Sequence, residues 1–153
     1  MANSGDNSKT ATIAALNGTL ADHFALYIKT KNFHWHVRGP RFRDLHLMFD
    51  EQAAAILGVT DAIAEWVRKQ GGETLTSIGA IGRITQIADE DRADLDAEAM
   101  VTALRDDNAR VVEQLKSLRD AAEQAGDNAT SALVDEWQDA AEERVWFLAQ
   151  TLR

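Results

Sequence analysis

Five side chains that can bind a metal ion fall within one short stretch of the sequence: His34, His46, Asp50, Asp61 and Glu65. His46 and Asp50 are four residues apart, and so are Asp61 and Glu65. On a helix, residues at this spacing lie one turn apart on the same side. Each pair is therefore typical of a two-ligand clamp for a metal ion, and His34 is a candidate for a further ligand.

The two clamps cannot bind the same ion within a single chain. Asp50 and Asp61 are eleven residues apart, which is about 17 Å along a helix. If residues 41–69 form one helix, two copies of that helix can pack antiparallel about a two-fold axis near Ala55 and Ile56. The two clamps would then meet in pairs, with His46 opposite the partner subunit's Glu65 and Asp50 opposite the partner subunit's Asp61.

The stretch between the clamps favours such close packing. Its side chains on the clamp face are small or apolar, and small residues let two helices approach closely. The sequence therefore predicts a metal site that is built between two subunits. The residues of this face are Ala53, Ala54, Leu57 and Gly58.

The ligand types indicate which ions would bind. Histidine and carboxylate without thiolate suit iron(II) or manganese, although zinc or copper can compete on affinity alone. Five ligand groups are enough to hold one ion firmly and a second ion weakly, with coordination positions left open to an oxidant or to water. A carboxylate-rich site favours iron(III) over iron(II), which makes a redox role chemically reasonable.

The same residues have two other interpretations. The charged residues could form an ordinary solvated helix face, because pairs at four-residue spacing are common on helix surfaces. That reading requires the symmetry of the two clamps about a small-residue patch to be accidental. A di-iron site inside one bundle needs Glu-x-x-His motifs, and the chain has none. His23 is interpreted as a structural or solvent-facing residue, and His36 as a residue without a ligand role.

The rest of the chain predicts the helices that would position these ligands. Apolar residues recur at helical spacing through most of the sequence, and Gly or Pro marks the ends of the stretches. We expect an all-α fold, a four-helix bundle over residues 11–153, preceded by a flexible tail over residues 1–10. The predicted helices run from Ala11 to Gly39-Pro40, from Arg41 to Lys69, from Ala97 to Gln124, and from Asp127 or Asn128 to the C-terminus, with a short extra helix in the long connection between the second and third.

Composition excludes several classes of function. The formal net charge of −9 opposes contact with a polyanion and favours cations as partners. The absence of cysteine excludes disulfides and thiolate catalysis. No apolar run approaches the roughly 18 residues that a membrane span requires. A cytoplasmic protein without a membrane partner is expected.

The sequence resembles the Dps proteins, or mini-ferritins. The similarity rests on the run from Lys31 to Gln52 (KNFHWHVRGPRFRDLHLMFDEQ), on Asp61-Ala-Ile-Ala-Glu65, and on Gly71-Gly72. The resemblance implies a ferritin-like fold, a hollow dodecamer, and a ferroxidase centre for iron at a two-fold subunit interface. By match to the family motifs, His34, His46 and Asp50 would come from one subunit, and Asp61 and Glu65 from its neighbour.

The resemblance also implies an activity. Family members oxidise iron(II), usually with hydrogen peroxide and otherwise with oxygen, and store the ferric mineral inside the shell. This removes both reactants that generate hydroxyl radicals. Trp35 matches a tryptophan that the family places near the iron, although interface packing explains it equally well. Trp66 departs from the usual Ala-Glu-Arg of the family, so the residues around the ligands, which tune the properties of a bound iron, differ here from the family pattern.

Two further expectations concern iron entry and DNA. The family has acidic pores near the start of the last helix, for which Asp127, Asp135 and Asp139 are candidates, although each would be ordinary on a solvated helix face. Members that bind DNA carry several basic residues in the tail. Here the tail has only Lys9, offset by Asp6, so DNA binding is predicted to be weak or absent. The alternative function is a nucleoid-associated, DNA-coating protein with a vestigial metal site.

Overall fold

The computed structural model describes residues 4–153 and folds them into six helices, with no strand in that range. None of these helices is long and apolar enough to cross a bilayer. The helices are α1 (Ser4–His36), α2 (Phe42–Gly58), α3 (Thr60–Lys69), α4 (Ile78–Ile84), α5 (Ala97–Gln124) and α6 (Asn128–Thr151).

Four long rods make a bundle. The first rod is α1, the second is α2 continued by α3, and the third and fourth are α5 and α6. Helix α1 packs against α2, α3 and α5, and α5 packs against α6. The short helix α4 lies in the long connection between α3 and α5 and contacts α1. The predicted four-helix bundle with a short extra helix in this connection is confirmed.

The second rod shows how the sequence pattern becomes a core. All six residues that the helical period assigns to its inner face are buried, including the polar Gln52. Burial of such an apolar stripe is the main contribution to bundle stability. On α1, in contrast, the apolar side chain of Ile28 is 58% exposed. The six buried residues are Leu45, Phe49, Gln52, Ile56, Ile63 and Val67.

The prediction of one unbroken helix over residues 41–69 is wrong at a single point. Val59 has φ −98° and ψ −9°, and its N–H points to the carbonyl of Leu57 rather than to the residue one turn back. The Thr60 hydroxyl also donates to the Leu57 oxygen over 2.7 Å. A β-branched pair after Gly58 disfavours continuation of the helix. The two clamps therefore lie on separate helices, one on α2 and one on α3.

Helix α1 begins earlier than the predicted boundary at Ala11. It starts at Ser4, and residues 5–11 carry exposed side chains on this first part of the helix. Residues 1–3 lie outside the described part of the chain. The mobility of residues 1–10 stays a prediction, whereas their helical start from Ser4 differs from the irregular tail that their composition predicts.

The turns that end α3 and begin α6 follow their sequence signals. Gly71 takes φ +87°, which a residue without Cβ adopts at no cost, and the Gly72 N–H then bonds to the Val67 carbonyl over 3.1 Å. Asp127 caps α6, because its carboxylate accepts the Thr130 N–H over 3.0 Å.

Candidate metal centre

The two candidate histidine ligands are joined by a reciprocal pair of hydrogen bonds. His34 Nδ1 lies 2.6 Å from the His46 carbonyl oxygen, and His46 Nδ1 lies 2.8 Å from the His34 carbonyl oxygen. The rings stack with their centroids 3.9 Å apart and their planes 15° apart. Phe42 stacks on the other face of this pair, 5.1 Å from the His46 ring. The end of α1 and the start of α2 are thereby held together at the ligands themselves.

These bonds determine which ring nitrogen can bind a metal. A carbonyl oxygen only accepts hydrogen bonds, so the Nδ1 atom of both His34 and His46 carries the proton. The lone pair of each neutral ring is then on Nε2. Metal-binding histidines commonly donate the other N–H to a carbonyl in this way, which fixes the ring orientation. Both rings are therefore set up to offer Nε2 to a metal ion.

Asp50 completes the first cluster. Its Oδ1 lies 3.7 Å from His34 Nε2, and its side chain is 54% exposed. The Lys31 ammonium is 2.8 Å from the same oxygen. This hydrogen bond is the main reason why the pKa of the Asp50 carboxyl lies below its ordinary value. Asp50 is therefore a carboxylate at neutral pH, but its oxygen already has a cationic partner.

Lys31 is a functional neighbour that the sequence analysis missed. Its Nζ lies 5.7 Å from the centroid of the Trp35 ring, within range of a cation–π contact, in addition to the ion pair with Asp50. The signal was present, because a residue three positions before His34 projects from the same side of α1. A metal ion that binds Asp50 must compete with this ammonium.

The second clamp, Asp61 with Glu65, has no side-chain partner within the described residues. Asp61 and Glu65 are exposed on α3, and neither side chain has a hydrogen bond or ion pair within residues 4–153. In the described part of one chain, no three His, Asp or Glu side chains form a group that could hold a metal ion. The structure places Asp50 beside the stacked pair of His34 and His46, an arrangement that does not by itself hold a metal ion, and it leaves Asp61 and Glu65 apart.

The surface between the clamps is suited to a second helix. Ala54, Leu57 and Gly58 are exposed, which agrees with the predicted packing face, whereas Ala53 is fully buried in its own bundle. Further large apolar side chains are exposed near the first clamp: Trp35 is 60% exposed, and Phe42 and Leu47 are also exposed.

The three candidate pore residues differ in their local partners. Asp127 uses both carboxylate oxygens for Thr130, one for its N–H and one for its hydroxyl. Asp135 pairs with Arg119 at 3.2 Å. Asp139 is exposed and makes no side-chain hydrogen bond or ion pair within the described residues. Asp139 is therefore the candidate whose carboxylate is free in one chain.

Trp66, which departs from the family pattern after Glu65, faces away from the clamp. Its indole N–H donates to the Thr130 hydroxyl oxygen over 2.9 Å, at the start of α6. The ring is partly buried against the core. Trp66 therefore links α3 to α6 and does not contact the Glu65 carboxylate.

A second polar cluster lies in the centre of the bundle, with one buried residue from each long rod: His23, Gln52, Asn108 and Arg144. Arg144 Nε donates to Asn108 Oδ1 over 2.7 Å, and Gln52 donates to the Arg144 carbonyl over 3.4 Å. Within residues 4–153, no carboxylate pairs with Arg144, and its Nη2 has no partner. Burial lowers the pKa of Arg144 to about 10. This cluster holds a cation and no carboxylate, so it is unsuited to a metal ion.

Comparisons with known proteins agree with this architecture. A model of the ferritin-like domain matches residues 13–153. The DNA protection during starvation protein of Brevibacillus brevis is 35% identical over 133 residues, which are 87% of this chain and 89% of that protein. The crystal structure of a Dps protein from Bacillus brevis has a TM-score of 0.92 at 31% identity and covers 100% of both chains. A Vibrio cholerae O1 Dps protein, described as a member of a broad superfamily of ferritin-like diiron-carboxylate proteins, has a TM-score of 0.90 at 25% identity over 96% of this chain and 92% of that one.

Proposed function

The chain belongs to the ferritin-like family, within its Dps group, and from this premise we propose that it is a ferroxidase and iron-storage protein. In this proposal it oxidises iron(II), with hydrogen peroxide as the main oxidant, and stores the ferric product inside a hollow dodecamer. It acts in the cytoplasm and limits oxidative damage. The observation that carries the proposal is the His34–His46–Asp50 cluster, which has oriented ligands but lacks enough of them for a complete site.

We propose that a neighbouring subunit completes the centre. One subunit contributes His34, His46 and Asp50, and the partner subunit contributes Asp61 and Glu65 across a two-fold axis. The free carboxylates of the second clamp and the exposed small-residue face between the clamps support this arrangement. Carboxylates without a partner in their own chain are costly to bury unless they gain one at the interface.

The chain's own groups account for the chemistry at such a centre. Two histidine Nε2 atoms and three carboxylates bind iron and stabilise the higher charge of iron(III). Two iron(II) ions each give one electron to one hydrogen peroxide molecule. The O–O bond breaks and two hydroxide ions form, so no hydroxyl radical is released. Trp35 is exposed beside His34 and can serve as an electron donor or as interface packing.

Iron supply and storage require a cation path into the shell. The negative charge of the chain attracts cations to an assembled shell. We propose Asp139 as the pore residue among the three candidates, because its carboxylate is free of partners within the described chain. Asp127 and Asp135 are occupied by Thr130 and Arg119.

The alternative function is coating of DNA, since relatives carry the name DNA protection during starvation protein. Lys9, the one lysine of the predicted tail, lines a pocket of about 380 Å³ together with Asp127. A single lysine beside an acidic residue gives little attraction for phosphates. We expect no salt-sensitive gel shift with duplex DNA at neutral pH, and a clear shift would favour this alternative.

The ferroxidase proposal is tested by following iron(II) oxidation with stoichiometric peroxide. Wild type is compared with a variant that carries His46→Ala and Asp61→Ala, one change in each clamp. We expect the fast phase of oxidation to be lost in the double variant, because every centre loses a ligand from each side.

A matched variant controls for the loss of a histidine and an aspartate as such. His36→Ala with Asp44→Ala removes the same residue types from exposed positions near the cluster. This control should oxidise iron at the wild-type rate and remain assembled. Equal rates in wild type and in the double variant would contradict the proposed centre.

A further inference from the structure

Asp61 and Glu65, the half of the proposed centre that lies on α3, point in the right direction only if α3 itself is held in place. The break at Val59 makes α3 a separate helix of ten residues, although it continues the rod that α2 begins. Ile63 and Val67 bury the inner side of α3 in the bundle. Burial of this apolar stripe sets the rotation of α3 only coarsely, because apolar contacts are non-directional. The rotation of α3 decides where Asp61 and Glu65 point.

One directional contact ties this helix to the opposite side of the bundle. The Trp66 indole N–H donates to Thr130 Oγ1 over 2.9 Å. The Thr130 hydroxyl in turn donates to Asp127 Oδ2 over 2.5 Å, and the Thr130 N–H donates to Asp127 Oδ1 over 3.0 Å. Thr130 is fully buried. The acceptor for Trp66 is thus held rigidly within the cap of α6.

We propose that Trp66 is a positioning residue for the metal centre: through Thr130 it sets the rotation of α3 and with it the direction of Asp61 and Glu65. This role rests on the proposed shared centre. In it, Trp66 contacts neither the iron nor the side chains that bind the iron. Hydrogen bonds weaken steeply away from linear geometry, so this one resists rotation of the helix. Lys69 lies 5.8 Å from the Trp66 ring centroid on the same helix and gives no such link to α6.

The test uses cobalt(II), which reports binding through its visible spectrum and undergoes no oxidation without added oxidant. Thr130→Val removes the hydroxyl at nearly constant shape, and Thr130→Ser keeps the hydroxyl as the matched control. We expect Thr130→Val to weaken cobalt binding about threefold to tenfold, the size of one net hydrogen bond. Thr130→Ser should bind cobalt as wild type does.

A second variant removes the donor instead of the acceptor. Trp66→Phe leaves the Thr130–Asp127 cap intact and should weaken cobalt binding by a similar factor. Combined with Thr130→Val it should add little, because both changes break the same bond. If Thr130→Val does not assemble, Trp66→Phe against wild type gives the same comparison.

The outcomes separate the positioning role from the proposed function. If cobalt binding by wild type depends on Asp61 but Thr130→Val and Trp66→Phe bind cobalt with unchanged affinity, the positioning role alone is overturned. A lower melting temperature at unchanged affinity has the same consequence, because it reveals a purely structural contact. If cobalt binding by wild type does not depend on Asp61, the shared centre and the positioning role are both overturned.

Discussion

The outer face, which carries the two clamps, and the centre of the bundle both contain histidines whose Nδ1 contacts a backbone carbonyl. The two regions differ in exposure and in charge. His23 bonds to Thr19 within its own helix over 2.7 Å and is buried on all sides. His34 and His46 exchange their bonds between two helices and lie beside an exposed carboxylate. A ring nitrogen can bind a metal ion only where the ion can reach it, and nearby negative charge strengthens the binding.

The charges in the two regions reinforce this difference. The centre of the bundle holds the Arg144 cation, which opposes a metal ion and also opposes a proton on His23. The outer face holds Asp50, Asp61 and Glu65, which attract a metal ion. The proposed metal chemistry therefore belongs to the outer face, where a partner subunit would complete the centre, and the centre of the bundle serves packing. Variants in the two regions should separate binding from stability.

The largest expected effect is the loss of one carboxylate on the outer face. Asp61→Asn keeps the size of the side chain but removes its charge, so iron(II) oxidation should slow by about 10²-fold or more. The free energy of unfolding should stay within about 0.5 kcal/mol of wild type. Stopped-flow absorbance and denaturant unfolding check the two quantities. A large loss of stability in this variant would mean that the two regions are not independent.

Next in size is the pH dependence caused by His23. Burial, with the Arg144 cation nearby, lowers the pKa of His23 from 6.5 to about 4. Between these pH values the unfolded chain binds a proton that the folded chain does not. The free energy of unfolding should therefore fall by about 3 kcal/mol as the pH drops from 6.5 to 4.

Unfolding in urea at a series of pH values measures this slope. The contribution should vanish in His23→Gln, whose side chain does not titrate. His36→Gln changes an exposed histidine of the same helix and should keep the wild-type slope. An identical slope in wild type and His23→Gln would assign the acid sensitivity to other groups.

A smaller loss of stability is expected from the partner of Arg144. Asn108→Ala leaves the Arg144 Nε without its acceptor in the core, which should cost about 2 kcal/mol. Cobalt affinity should be unchanged, because the hydrogen bonds of Asn108 go to Leu104 and Arg144 and not to a clamp residue. Calorimetry and cobalt titration of the assembled protein test this pair of results, and a parallel loss of affinity would show coupling between the two regions.

The smallest effect, and the only gain, is expected at Lys31. Lys31→Met keeps much of the contact with Trp35 but removes the ammonium that occupies Asp50. Metal affinity should rise by less than about fivefold, since exposed ion pairs are weak. Competition titration with cobalt measures the change, with Lys116→Met as a control at a distant ion pair. A weaker affinity would assign Lys31 a supporting role.

The sequence predicted those parts of the fold that depend on local spacing. Four-residue intervals placed His46 with Asp50 and Asp61 with Glu65 on helices, and the apolar period identified the buried side of α2 and α3. The break at Val59 was missed, although the β-branched pair after Gly58 is a local signal against a continuous helix. The direction of Trp66 toward Thr130 was missed because its partner lies on a different helix, α6.

The candidate site was predicted less completely than the fold. Ligand types can be recognised from a pattern, but the exchange of hydrogen bonds between His34 and His46 depends on the distance between α1 and α2. The ion pair of Lys31 with Asp50 likewise joins two helices. Contacts across helices need the packed bundle, and the meeting of the two clamps also needs a second subunit.

The shared centre is tested most directly by mixing two inactive variants. His46→Ala and Asp61→Ala chains, unfolded and reassembled together in equal amounts, should recover about a quarter of the wild-type oxidation rate. This follows because half of the two-fold pairs are mixed, and each mixed pair has one centre with all its ligands. Each variant reassembled alone should stay inactive. No recovery in verified mixed oligomers would contradict a centre built from two subunits.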